Sequence, residues 1–473
     1  MMNSVGLSVA DSPYETGFYA FSRHYHWDLS TRGKPFPSSE LAFVIPALAV
    51  NKVISGDGLF DIVALGIVHL IGYCAVITIF AYCGFRSRLR WRWLIYLAVI
   101  VLFSDVTYIA YFNSLYAEPA SLIFLCGGLA FAMLAIIEAA AERPRTYPLL
   151  GCFVCWILFL LAKLQNVMLV PLLAPIVYLM YVNYTSRADG AFKSLRAKKW
   201  QVLIAFIGIA FAYWSIYSIF PMGVRNVNVY NNVFFEIIKK SPTPKADLKD
   251  LGLNESYLKY KGTHSWSPGI TEKLHNDVYN CVGEKGVMLF YIKHPSRLCR
   301  LLWSAAKYSF ETRPGYLGNF DSKSYANILH EHPNRKLAPG ESTNAECTGF
   351  ERFPSFCFSH SFAFSSGFKE RFIVGSSWSL LIFIVINFAA IGWKLRWRDR
   401  DISTRSVSLI HLALLLMAIF QFLTVTIGTG EMDLVRHLFL FGLLCDLCTV
   451  FLLGYLVELF APHIRAGQSA SGV

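Results

Sequence analysis

The chain has 473 residues, of which 55% are hydrophobic and only 16% are charged. A water-soluble domain of this composition would expose large apolar patches, so soluble classes are excluded and a polytopic membrane protein is predicted. The formal net charge of +12 does not indicate nucleic-acid binding, because the basic residues lie mostly in short clusters between apolar runs.

Apolar runs long enough to cross a bilayer recur along the chain. A transmembrane helix needs about 20 mainly apolar residues. The sequence therefore predicts an all-α polytopic fold with about nine spans. The predicted spans are 59–84, 93–112, 119–141, 147–162, 166–183, 200–221, 372–393, 406–428 and 436–460.

Basic clusters follow every second span, beginning with RSRLRWR after the first. Because Lys and Arg accumulate in cytoplasmic loops, these connections are predicted to face the cytoplasm. The alternate connections are then predicted to face outward: 113–118, 163–165, 222–371 and GTGEMDLV at 428–435.

By this rule residues 1–58 form an outward first loop, although no apolar run precedes them. The stretch 41–56 is short and interrupted, which is typical of an interfacial or re-entrant helix pair. Three explanations stay open: export without a leader, an upstream span missing from the sequence, or a crossing by 41–56. We favour the missing span.

The remaining chain divides into a transmembrane module at 59–221, an extracytoplasmic domain at 222–371 and C-terminal transmembrane helices at 372–473. The outward segment is predicted to be mixed but mainly helical. One helix is predicted within 269–294, interrupted at Gly283, and an amphipathic one at 295–310 that suits a membrane surface.

Cysteine spacing adds a weaker prediction. Four cysteines in the outward segment indicate two disulfides, whose three possible pairings the sequence does not rank. They are Cys281, Cys299, Cys347 and Cys357. The CxxC at 152–155 lies within a predicted span, where packing is favoured over metal or redox chemistry. No zinc-ligand set, Walker loop or GxGxxG supports nucleotide or nicotinamide chemistry.

The stretch SDVTYIAYFNSLYAEPASL (104–122) carries two carboxylates where the chain turns outside. Asp105 is predicted about two turns inside a span, where a charged group costs a few kcal/mol and is a functional candidate. Glu118 precedes Pro119 at the mouth of the next span. Two structural alternatives stay open: Glu118 caps that helix, and Asp105 bonds a tyrosine or amide.

A cationic group is predicted at the outer end of the last span, in GEMDLVRHLFLF (430–441). Arg436 and His437 either extend to lipid phosphate or form an anion site, since guanidinium binds phosphate at two points. Lys163 in the outward turn LAKLQN is predicted to add a second positive charge. The candidate substrate-binding residues are Asn113, Tyr111, Tyr116, Lys163, Arg436, His437, Glu431 and Asp433.

Glu118, Asp105, Lys163 and Arg436 are predicted to converge on one water-filled hollow that opens to the outer side of the membrane. An acid beside phosphate-binding cations at this face suits transfer of a sugar from a lipid-phosphate carrier. Cations stabilise the charge that develops on the leaving phosphate, and a carboxylate takes the proton of the acceptor hydroxyl. The carrier bond is already activated, so no ATP is required. Aromatic rings offer flat faces to sugars.

Three stretches, YFNSLYAEPASL (111–122), TRPGYLGNF (312–320) and DLVRHLFLF (433–441), resemble bacterial integral-membrane glycosyltransferases of the GT-C superfamily. The nearest group is the hexose-transferase-like proteins of surface-glycan gene clusters. The resemblance implies a polyprenyl-phosphate-linked sugar donor, a glycan or lipid acceptor and, in many members, no required metal. It also implies an inner-membrane enzyme with a periplasmic site and a first-loop acid, for which Asp11, Glu15 and Asp28 are candidates.

Other functions stay open. An O-antigen polymerase or ligase would use similar outer residues on a diphosphate-linked oligosaccharide. A secondary transporter would show related halves and central charges, but no halves are visible and Asp446 is the main central charge. A lipid-binding or scaffold protein would keep the cations without needing the acids.

Overall fold

The structure is a computed structural model that describes residues 5, 7–9, 24–28, 30, 38–54, 58–86, 92–140, 146–173, 175–176, 214, 218, 222–311, 363–396 and 402–470. Several predictions fall outside these residues. They concern Asp11, Glu15, the stretch 312–320, Cys347 and Cys357, part of the span at 166–183 and most of the span at 200–221.

The N-terminal part contains a small sheet that the sequence did not predict, because its strands have only three or four residues. Strands β1 (Leu7–Val9), β2 (His24–Trp27) and β3 (Leu59–Asp61) pair antiparallel in that order. Between β2 and β3 runs helix α1 (Leu41–Ile54). The helix pair predicted at 41–56 is therefore wrong: one helix passes through Pro46.

Apolar helices form the membrane part, since a helix satisfies its own backbone hydrogen bonds in lipid. The first group comprises α2 (Ile62–Arg86), α3 (Arg92–Phe103), α4 (Val106–Ile109), α5 (Glu118–Ala140), α6 (Thr146–Ala162) and α7 (Leu164–Val167). Helix α5 packs against α2 and α6. The contact with α6 is close at Gly128, where an added Cβ would meet the indole of Trp156.

The predicted span 93–112 is broken. Helix α3 ends at Phe103, and α4 continues into a 3₁₀ turn (Ala110–Asn113), with a bend of 51° between the two parts. Asp105 lies at the break, where it caps α4 by accepting the backbone N–H of Thr107.

The described stretch 222–311, within the predicted extracytoplasmic domain, is mainly helical. It comprises α8 (Met222–Asn231), a π-helix (Asn232–Ile238), α9 (Pro244–Asp250), a 3₁₀ helix (Glu255–Tyr260), α10 (Glu272–Cys281), α11 (Gly283–Lys293) and α12 (Pro295–Ala306). These residues, 222–311, are called the helical unit below. It has its own apolar core, which includes Tyr230, Phe234, Val278 and Phe290.

Two local predictions in the helical unit can be checked. The interruption at Gly283 is confirmed: its φ of +56° separates α10 from α11. The prediction of two disulfides is wrong, because Cys281 and Cys299 are exposed free thiols on different helices.

The C-terminal part comprises α13 (Phe364–Phe372), α14 (Ser377–Arg396), α15 (Ile402–Thr429), α16 (Leu434–His437) and α17 (Phe439–Ala470). Across the described residues, five helices are long and apolar enough to span a membrane, or six with the bent pair. The chain is thus a mainly helical polytopic membrane protein. The count of nine stays a prediction.

Candidate functional site

The first element of the site is a buried ion pair at the start of α5. Glu118 is the first residue of α5, and Lys163 lies between α6 and α7. The Lys163 Nζ contacts Glu118 Oε1 at 2.6 Å, with the two side chains 20% and 1% exposed. Glu118 Oε2 is buried and has no hydrogen-bond partner among the described residues. One carboxylate oxygen is therefore neutralised and the other remains an acceptor.

A second carboxylate, Glu40, lies beside this pair. The Ser38 Oγ and Ser39 N donate to the carbonyls of Ala162 and Leu161 at the end of α6. This anchors the start of α1 against the bundle, so that Glu40 Oε2 accepts the backbone N–H of Ala120 at 3.3 Å. The first turn of α5 thereby binds a second carboxyl group.

Glu40 shares a proton with His69 of α2. The His69 Nδ1 lies 2.8 Å from the Phe112 carbonyl oxygen, which only accepts, so Nδ1 carries a hydrogen. The Nε2 lies 2.7 Å from Glu40 Oε1, and both side chains are fully buried. The pair is neutral overall, either as imidazolium with carboxylate or as imidazole with carboxylic acid. Burial raises the pKa of Glu40, and the charge of Glu118 adds to this effect, whereas His69 opposes it.

The side chain of Arg436, in α16, lies in the same part of the structure as Glu118 and Lys163. The Asp433 Oδ2 lies 2.5 Å from Arg436 Nε, and the guanidinium lies 4.7 Å from the centre of the Tyr116 ring. Asp433 has a φ of +50°, the one positive value at a non-glycine among the described residues. Burial lowers the pKa of His437 well below its usual range, and the charges of Arg436 and Lys163 lower it further. His437 is therefore neutral at pH 7.

Tyr111 completes this group, and its buried side chain interacts electrostatically with Glu118, Arg436 and Asp433. The structure thus brings together seven of the predicted residues and two that the sequence did not single out. This set, called the Glu118 cluster below, consists of Tyr111, Tyr116, Glu118, Lys163, Asp433, Arg436, His437, Glu40 and His69.

Asp105 belongs to a different cluster, so its predicted convergence with Glu118 is wrong. Its Oδ1 accepts from the N and Oγ1 of Thr107, and its Oδ2 accepts from the backbone N–H groups of Ser365 and Ser366. The sequence predicted a continuous span, but the break at Asp105 makes this carboxylate the cap of both α4 and α13. The Asp105 carboxylate is thus held by structural hydrogen bonds, but its partners are backbone N–H groups and a threonine rather than the predicted tyrosine or amide side chain.

A buried triad adjoins Asp105. The Lys369 Nζ contacts both carboxylate oxygens of Asp446 at 2.6 and 2.7 Å, and the Tyr108 hydroxyl donates to Oδ2 at 2.6 Å. A cavity of about 20 Å³ lies between this triad and Ser309. That volume suits a water molecule and not a sugar. Phe439 separates the two clusters, because the rings of Tyr108 and Tyr111 both pack edge-on against it.

Three further candidates lie elsewhere. The carboxylate of Glu431 is paired with Lys240. The backbone N–H of Glu431 donates to Oε2 of Glu236, in the π-helix, at 3.2 Å. Asn113 is exposed and lies against Gly66 of α2. Asp28 is exposed and bonds Ser30 locally. Glu431 and Asn113, which were predicted as substrate-binding residues, lie outside the Glu118 cluster, because their side chains contact Lys240 and the region of Gly66 instead.

Among the described residues of 1–58, Glu40 is the acid that lies in the Glu118 cluster. The sequence offered little indication of a functional role for Glu40, because the segment SSEL (38–41) is typical of the start of a helix. The indication for His69 was stronger, because an ionisable residue inside an apolar span is a functional candidate.

One group of described side chains has spacing that could hold a metal ion: Asp247, Asp250 and His294 in the helical unit. The guanidinium of Arg297 already contacts Asp247, and His294 Nε2 lies 3.0 Å from Asp250. A cation thus compensates this acid without a metal. The group lies in a different part of the chain from the Glu118 cluster.

A family model described as the YfdI N-terminal transmembrane domain matches residues 1–469. Comparison with curated proteins and with solved structures finds no match. The family model covers almost the whole chain, in agreement with its apolar helices. The chain belongs to the family of the YfdI N-terminal transmembrane domain.

Proposed function

We propose that this protein is a membrane glycosyltransferase that moves a sugar from a polyprenyl-phosphate carrier to a glycan or lipid-linked acceptor. The observation that carries the proposal is Glu118: one buried oxygen is held by Lys163, and the other lacks a partner among the described residues. A fixed carboxylate with one unused acceptor position is what a general base requires. The resemblance of 111–122 and 433–441 to GT-C enzymes supports the same conclusion.

In the proposed reaction the acceptor hydroxyl oxygen forms a bond to the anomeric carbon of the donor sugar. The bond between that carbon and the phosphate oxygen breaks, and the phosphate leaves with both electrons. Glu118 Oε2 takes the hydroxyl proton and later releases it to water. Because this oxygen is covered, the acceptor must displace a neighbouring side chain to reach it.

Lys163 and Arg436 supply the positive charge that the leaving phosphate needs. Both side chains are about one-fifth exposed, so they lie at the edge of the cluster. Arg436 is held by Asp433, and a donor phosphate therefore exchanges with this carboxylate for the guanidinium. Neutral His437 adds no third charge and can donate or accept a hydrogen bond.

Glu40 and His69 have a positioning role in this proposal. Their shared proton keeps the pair neutral, so Glu40 places no second negative charge beside Glu118. Its bond to the Ala120 N–H fixes the turn of α5 that carries Glu118. We infer that the site faces the periplasm, since the basic clusters predict the opposite ends of the helices to be cytoplasmic.

The test is transfer of a radiolabelled sugar from a polyprenyl-phospho-sugar by the purified protein in lipid nanodiscs, with extracted surface glycan as acceptor. Product is expected with the parent protein and not with Glu118→Gln. No product with any monophosphate-linked hexose would overturn the proposal.

A parallel assay with a second donor distinguishes this proposal from the other glycan-processing function. An O-antigen polymerase or ligase acts on a diphosphate-linked oligosaccharide, so that donor is supplied in parallel. Activity confined to the diphosphate donor assigns the Glu118 cluster to that class. Lipid binding without transfer in either arm favours a scaffold.

A further inference from the structure

Helix α13 presents three aromatic side chains on one face. At about 100° per residue, positions 364, 368 and 372 fall within an arc of about 80°. The side chains of Phe364, Phe368 and Phe372 are 57%, 58% and 68% exposed. Three adjacent exposed phenylalanines form an apolar patch rather than scattered surface residues.

The first turn of α13 and the side chain of Lys369, which lies about 100° from the centre of the aromatic arc, are fixed to the membrane helices. The backbone N–H groups of Ser365 and Ser366 donate to Asp105 at 2.8 and 2.9 Å. Lys369 contacts Asp446 of α17. Two buried carboxylates thus set the rotation of the helix, and the aromatic face cannot turn toward the protein core.

These contacts also set the depth of α13. Asp446 lies seven residues after the start of α17 at Phe439, which corresponds to about 10 Å along a helix axis. Residues Phe439–Leu459 form a candidate span. Lys369 reaches down to this level, so α13 lies near the boundary between headgroups and acyl chains, where interfacial helices bury their apolar faces.

The aromatic face leads directly into a lipid-facing surface. The candidate span α14 begins five residues after Phe372 and exposes Trp378, Leu381 and Ile382. The rings of Trp303 and Trp378 meet edge-on at 5.1 Å, and the Ser377 hydroxyl donates to the Trp303 carbonyl. Tryptophans concentrate at the membrane–water interface, which marks the level of the turn between α13 and α14.

We propose that α13 is an interfacial helix whose Phe364, Phe368 and Phe372 insert among phospholipid acyl chains, on the membrane side that carries the helical unit. The partner is the bulk lipid of that leaflet. Arg371, which lies over the Phe372 ring, is exposed at the edge of the patch and suits a lipid phosphate. This inference stands on the fold and does not depend on sugar transfer.

The test uses ¹⁹F NMR of the full chain in lipid nanodiscs. The probe 4-trifluoromethylphenylalanine replaces Phe368 in one sample and Glu370 in a matched control. Glu370 lies about 160° from the centre of the aromatic arc and is exposed. Spectra are recorded with doxyl-labelled phosphatidylcholine, whose spin label is near the headgroup, and separately with a water-soluble gadolinium chelate.

The doxyl lipid is expected to abolish the signal at 368 and to leave the signal at 370, and the gadolinium chelate is expected to do the reverse. Probes at 364 and 372 repeat the measurement if the label at 368 prevents folding. A signal at 368 lost to gadolinium would overturn the proposal, because the face would then be in water. A signal protected from both agents would also overturn it, since a protein surface would then cover the face.

Discussion

Glu118 and Lys163 form an ion pair of 2.6 Å that joins the start of α5 to the end of α6, with the carboxylate buried. Removing one partner of a buried pair is costly, whereas replacing both partners is often nearly neutral for stability. This difference separates a structural role from a catalytic one. A structural pair is rescued by removal of both charges, but a general base is not.

We expect Glu118→Gln to lower kcat for sugar transfer by about 10²- to 10⁴-fold, the usual contribution of a general base. The double variant Glu118→Gln/Lys163→Gln is expected to recover the thermal midpoint of the parent protein without recovering kcat. The control is Glu284→Gln, which breaks the more exposed Arg225–Glu284 pair in the helical unit. Recovery of both properties in the double variant would make the pair structural.

In the proposed site Asp433 competes with the donor phosphate for Arg436. Removing the charge of Asp433 is therefore expected to improve donor binding, whereas removing that of Glu118 impairs catalysis. Asp433→Asn removes the competing charge, and asparagine tolerates the left-handed backbone at φ +50°. We expect the KM for the polyprenyl-phospho-sugar to fall severalfold with little change in kcat. Arg436→Lys, which loses the two-point fork, is expected to raise the same KM.

Initial rates over a range of donor concentrations, at saturating acceptor, measure both effects. An unchanged KM in Asp433→Asn together with a raised KM in Arg436→Lys would show that Asp433 only orients the arginine. An unchanged KM in both variants would remove Arg436 from the donor site.

Asp105 is expected to affect stability and not chemistry. It accepts four hydrogen bonds that cap α4 and α13. Asp105→Asn loses the charge and turns an amide group toward donor N–H groups, which costs on the order of 1–3 kcal/mol for an unsatisfied buried group. A lower thermal midpoint in nanodiscs with an unchanged kcat per folded molecule is expected. A normal midpoint with lost activity would return Asp105 to the catalytic candidates.

Composition and basic clusters predicted the helical membrane architecture, because lipid admits few solutions and each span is encoded locally. The sequence also located Glu118, Lys163 and Arg436 at the ends of apolar runs. It missed the break at Asp105, since residues 93–112 read as one apolar segment. It also missed the Glu40–His69 pair, whose partners are 29 residues apart and meet only because Ser38 and Ser39 bind the end of α6.

The contact between the π-helix and the turn after α15 gives a prediction about pH. The Lys240 ammonium contacts the carboxylates of both Glu236 and Glu431. The side chain of Glu236 also lies close to Gly430. The pKa of Glu236 is raised from 4.5 to about 7: burial is the largest cause, Lys240 opposes it, and the charge of Glu431 also raises the pKa. Burial raises the pKa of the nearby Tyr291 hydroxyl, and the charges of both carboxylates raise it further.

The folded state therefore binds the Glu236 proton more tightly than the unfolded state does. Its contribution to stability is greatest at low pH and is lost as the pH rises from about 4.5 to about 7. The loss is on the order of 3 kcal/mol at most, since one pKa unit corresponds to about 1.4 kcal/mol. His437 and Glu40 also titrate differently in the two states, so the quantity to measure is the difference between parent and variant.

Glu236→Gln is expected to gain thermal stability relative to the parent protein as the pH rises through this window, because the variant no longer ionises at this position. Unfolding is followed by tryptophan fluorescence in nanodiscs at pH 4.5, 5.5, 6.5 and 7.5. Glu255→Gln, which alters an ion pair with both side chains 65% exposed, is the control and should leave the profile unchanged. Parallel profiles for the parent and Glu236→Gln would mean that Lys240 keeps Glu236 ionised throughout.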